Sequence, residues 1–221
     1  MGLLESAVVV YLRELYYPEG FNFPLTIMSG TIAITEILRE AATLIMLVSV
    51  GIIAGRTNTE KFGYFIYSFA IWDIFYYVFL KLLLNWPESF LTWDILFLIP
   101  TTWVGPVITP ILLSFAMIVL ALAIINFTNK NLQTHINKLE WGLLISGSII
   151  CIASFTYEYT EFLLQKFSII EIFTPNQELM DYAIQFIPQK FPWPIFLTGF
   201  IVIVSAIALF VYRNVKYLQN K

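Results

Sequence analysis

The sequence predicts an all-α integral membrane protein. The expected architecture is a bundle of five transmembrane helices with an N-terminal interfacial amphipathic helix and two structured extracytoplasmic loops. Three observations predict it. Hydrophobic residues are 59% of the 221 positions, charged residues are 12%, and the mean hydropathy is +0.79. A soluble domain runs near 45–50% apolar and about 25% charged, so this chain lacks the polar residues to cover a water-facing surface. Five segments also reach the roughly 20 apolar residues that a crossing helix needs. Finally, the basic residues gather in three short segments that alternation through five spans brings to one side.

The elements follow in order. Residues 1–29 form the extracytoplasmic interfacial segment. Leu4, Val8, Leu12 and Leu15 recur at helical spacing within a stretch too short to span and interrupted by Glu5, Arg13 and Glu14. That pattern reads as an amphipathic helix in the interface. It has no basic leading region, so it is not read as a signal peptide. The transmembrane domain covers 30–212, with spans at about 30–55, 62–86, 107–127, 140–165 and 194–212. Trp86-Pro87 stops the second span, and Pro194 suits the first turn of the fifth. Residues 213–221 form a basic cytoplasmic tail.

Between the spans lie two long connections, each rich in aromatic residues and proline. Ile95 to Pro100 reads as a re-entrant or interfacial loop, and Pro100 to Pro110 as a rigid linker. Asp94 reads as the cap of a short helix starting near Ile95. Trp72-Asp73-Ile74 recurs as Trp93-Asp94-Ile95, but the flanking residues do not align as a repeat. Trp86, Trp93, Trp103, Trp193 and Tyr182 suit an aromatic belt at headgroup level. Gly51 and Gly55 form a GxxxG pair that serves either a dimer face or close packing within the bundle.

Orientation comes from charge. Arg56, Lys61, Lys130, Lys138, Arg213, Lys216 and Lys221 share one side with Glu60 and Glu140, leaving five of twelve basic and thirteen of fifteen acidic residues elsewhere. The positive-inside rule makes the basic side cytoplasmic, with the N-terminus outside and the C-terminus inside. The expected location is a plasma membrane of the bacterial inner-membrane kind. The lipid bilayer is then one partner, with a membrane protein or a second copy of the chain as another. No basic run exists, so nucleic acid is not a partner.

Charges inside the spans mark candidate functional residues. Asp73 lies eleven residues from Phe62, or about 16 Å into the bilayer. An acid there costs about 2.5–3.5 kcal/mol on insertion scales, so it needs a partner, a proton or a wet cavity. Tyr77 and Lys81 follow at four-residue steps on one helix face. Tyr77 is within reach to donate to Asp73, and Arg39 is a possible cation from another helix. Glu36, Arg39 and Glu40 share one face near the outer boundary, as do Glu158 and Glu161. Convergence of these faces would gather an excess of acids, favouring protonation or an occupying cation.

Several chemistries are excluded. Cys151 is the single cysteine and His135 the single histidine, so a thiolate cage, a histidine cluster and a Ser-His-Asp triad have no ligands or base. No Walker A, GxGxxG or HExxH motif occurs. No catalytic or cofactor-binding residue is assigned. Any metal would be held through oxygen alone, which suits Ca²⁺, Mg²⁺ or Mn²⁺. The favoured reading is a non-catalytic accessory or assembly component acting through membrane partners. The second is a cation or proton transporter or channel with an outward-facing carboxylate site around Asp73. The third is an intramembrane enzyme with an oxygen-ligated metal.

Overall fold

The computed structural model describes residues 1–99, 101–131, 133–172, 174 and 177–220. Five helices are long and apolar enough to cross a membrane: α2 (Gly30–Ala54), α3 (Asn58–Leu84), α4 (Ile108–Lys130), α5 (Lys138–Leu164) and α8 (Trp193–Gln219). Helix α1 (Gly2–Tyr16) precedes them. Short helices α6 (Ile169–Ile172) and α7 (Gln177–Ala183) lie between α5 and α8. The protein is a multi-pass, all-α membrane bundle.

Local chemistry sets the helix ends. Ser29 caps α2 by accepting from the Ile32 backbone N–H, and Thr57 caps α3 through Glu60 N–H. Asn137 and Glu140 close a full capping box on α5, satisfying two backbone donors reciprocally. Asn85 adopts the left-handed conformation (φ 53°) that ends α3 before Trp86-Pro87. Pro194 falls in the first turn of α8. The expected tail from Arg213 instead continues α8 to Gln219, because no Gly or Pro interrupts it and Arg213 is anchored on Glu140. Lys221 lies outside the described residues.

The core is formed by α3, α4, α5 and α8, around Leu120, Ile124, Phe155, Phe196, Ile203 and Phe210. Glycine lets α5 and α8 touch: a Cβ on Gly147 would meet the Gly199 carbonyl at 2.9 Å, and one on Gly199 would meet Cys151 Sγ at 2.7 Å. Cys151 is accordingly buried, as a small apolar residue. Helix α2 contributes nothing to this core. It packs on α3, where a Cβ on Gly51 would lie 2.6 Å from the Lys61 carbonyl and 2.8 Å from Phe65 Cβ. The GxxxG pair therefore packs within the chain.

Helix α1 runs along the second half of α3. Gly2 sits against Trp72 and Phe75 of α3, and the Ser6 hydroxyl donates to the Tyr76 carbonyl at 3.0 Å. At the other end, the Arg13 guanidinium lies 3.8 Å from the centre of the Trp86 ring. The helix is seated on protein over its whole length.

The first long connection is a hairpin. Strand β1 (Trp93–Phe97) pairs antiparallel with β2 (Trp103–Pro106), with Asp94 opposite Gly105 and an irregularity between Ile95 and Phe97. This corrects three expectations. Ile95 onward is a strand rather than a loop, the Trp103–Pro106 part of the proline-rich stretch is its partner rather than a linker, and Asp94 caps no helix. The β-branched and apolar residues after Asp94 favour a strand, and pairing satisfies their backbone groups. Pro100, which bounds both expected segments, lies outside the described residues. The two Trp-Asp-Ile triplets fall in a helix and a strand, so they are no structural repeat. Aromatics of both connections pack on protein: Tyr182 stacks on Phe162 at 4.5 Å and Trp103 on Phe155 at 5.9 Å.

Candidate functional site

The half of α2 away from Gly51 also engages elements other than α3. The Arg39 guanidinium reaches Glu5 of α1, and the Glu40 carboxylate accepts from the Leu98 backbone N–H at 3.1 Å from both oxygens. A cavity of about 670 Å³ lies in the resulting crevice, walled by α1, α2, α3, β1, α7 and the segment after α1.

The wall carries five acids, Glu5, Glu36, Glu40, Asp73 and Asp94, and two cations, Arg13 and Arg39. Arg39 is committed to Glu36, at 2.7 Å, and to Glu5. Arg13 lies 3.9 Å from Asp94 and stacks between Trp86 and Phe21, so its charge is spread over aromatic faces. Asp94 is 3% exposed. It also accepts from the Tyr77 hydroxyl at 3.1 Å. Burial pushes its carboxyl up to about 6, against the opposing pull of Arg13, Tyr77 and the Ile95 N–H. Asp73 accepts from the Ser114 hydroxyl at 2.8 Å. Neither Asp73 nor Glu40 has a basic side chain within ion-pair distance among the described residues. The Trp72 indole N–H, buried on the same wall, lacks a hydrogen-bond partner.

The sequence-level candidates divide. Glu36, Arg39, Glu40, Asp73 and Tyr77 all line this cavity. Tyr77 donates to Asp94 rather than Asp73, and Arg39 serves the glutamates rather than Asp73. Lys81 is exposed and donates to the Asn85 and Pro87 carbonyls, holding the end of α3. Glu158 accepts from the Gln189 and Lys190 backbone N–H groups. Glu161 is exposed; Tyr159 is the residue of that turn that faces the cavity. Glu5, Arg13, Trp72 and Asp94 join the site without having been singled out for it. The repeated Trp-Asp-Ile triplet was the available signal, since both its aspartates border one cavity.

Among the described residues, no group of three or more His, Cys, Asp or Glu side chains is placed to hold a metal ion. His135 is exposed at the opposite end, where its carbonyl accepts from Arg213. No protein-family model, curated protein or solved structure matches this chain.

Proposed function

We propose that this protein is a membrane-embedded small-molecule binder whose site is the α1–α2–α3 cavity. One observation carries the reading: a cavity of about 670 Å³ is bordered by a mid-helix acid, Asp73, that no cation among the described residues neutralises. Small-molecule sites commonly occupy about 300–1,000 Å³, whereas a bare ion needs a shell of closely spaced ligands. An intramembrane acid on a cavity marks a substrate or ion path by default. The carboxylate-lined transport reading is thereby preferred to the accessory reading, which rests on size and composition.

The test is native mass spectrometry of the protein extracted gently from its own membrane. The wild type is expected to retain a small-molecule adduct. Ala33→Trp, which fills the cavity from α2, is expected to lose it. A bare wild-type mass, or an adduct kept equally by Ala33→Trp, excludes the reading. A stoichiometric polypeptide in the same spectrum would restore the accessory role.

A further inference from the structure

We infer that the cavity takes an amphipathic organic amine, a long-chain primary amine in class, with its ammonium head beside Asp73. The inference rests on the binding role proposed above and names the ligand's chemistry.

Charge comes first. Five acids against two cations leave the wall three negative charges in excess when all are ionised. Both arginines are already engaged, one by Glu5 and Glu36, the other by Asp94 and two aromatic faces. One excess charge is shared by Glu5 and Glu36 over the single Arg39, and the other two fall on Glu40 and Asp73. Glu40 is compensated by the Leu98 N–H. Among the described residues, Asp73 has only the Ser114 hydroxyl. A buried carboxylate of that kind is stabilised by a cation brought into contact with it. The neighbouring Tyr76 and Tyr77 rings supply faces that attract an ammonium group.

Size and shape choose the kind of cation. The volume greatly exceeds that of a metal ion, and no metal-holding group of side chains exists among the described residues. Val9, Leu12, Ala33, Phe97 and Met180 give the wall apolar surface for a hydrocarbon chain. Amine and chain together define the class.

The experiment uses the full-length protein in a neutral maltoside detergent. Thermal unfolding is followed by tryptophan fluorescence with 2-aminododecan-1-ol, and with its neutral isostere dodecane-1,2-diol. The amino alcohol is expected to raise the midpoint saturably, and the diol is not. In Asp73→Asn the apparent affinity for the amino alcohol should fall about tenfold or more. Should that variant fail to fold, Ala33→Trp tests the same point and should abolish the shift. Equal stabilisation by the diol overturns the cationic assignment while leaving a binding cavity. Equal stabilisation of the wild type and both variants means partition into the detergent and overturns it too. Absence of any shift also overturns it, and the native-mass adduct then decides separately whether the cavity binds anything.

Discussion

Arg39 holds the top of the crevice closed by standing between two glutamates that would otherwise repel. Glu36 lies one helical turn before it, and Glu5 belongs to another helix, 34 residues away. Breaking a buried pair by removing one partner costs about 3–5 kcal/mol because a charge is stranded. Arg39→Met is expected to cost somewhat less, about 2–3 kcal/mol, since the Arg39 side chain keeps 22% exposure. Adding Glu5→Gln and Glu36→Gln should recover most of that loss, as read by denaturation in detergent. Asp94 makes a second prediction. Its carboxyl titrates at about 6 in the folded protein, against 3.8 ordinarily. Between those values the folded state holds the extra proton, so stability falls as pH rises from about 4 to about 6. Asp94→Asn should flatten that slope in pH-dependent melting curves. Depth counting along single helices made Asp73 and Glu40 legible, because an acid inside an apolar run is visible locally. Arg13 and Asp94 were not legible as a pair: 81 residues separate them, Arg13 read as a charge on an interfacial helix, and Asp94 read as a helix cap.

Among the elements, the five spans were legible because a membrane imposes length and apolarity on every crossing helix. Their ends shifted where caps and ion pairs, rather than hydropathy, decide: α3 starts at its Thr57 cap, and α8 runs on through Arg213. The hairpin was not legible. Trp93–Phe97 is too short to separate strand from loop by periodicity, and its partner, Trp103–Pro106, is not contiguous with it in sequence. Gly51 and Gly55 were legible as a contact but not as to which surface they meet. The structure places them on α3, so Gly51→Leu should destabilise the monomer by about 1–3 kcal/mol through overpacking. Its oligomeric state should not change, which light scattering in detergent checks. A shift in mass with unchanged stability would return these glycines to a dimer face.

For the molecule as a whole, charge separates the two ends. Arg56 bonds Glu60 and reaches Asn129, while Arg213 bonds Glu140 and reaches the His135 carbonyl, so the three basic segments gather at one end. The positive-inside rule predicts that this end is cytoplasmic. Cys151 is buried and gives a quiet background for cysteine labelling. Ser89→Cys, on the hairpin side, should react with a membrane-impermeant maleimide in intact cells. Gln133→Cys should react only after permeabilisation, and the reverse pattern would invert the topology. One further consequence follows from where α2 is attached. The core belongs to α3, α4, α5 and α8, and α2 lies outside it with a buried stripe running from Glu36 through Glu40, Thr43 and Leu47 to Gly51. Mechanically, that makes four helices a pillar and α2 a stave fastened to its neighbours near both ends, by the close approach to α3 at Gly51 and by the Arg39 clasp to Glu5. Of the two fastenings only Arg39 borders the cavity, so the wall that α2 lends to the site is set by a charge at one end and by backbone contact at the other.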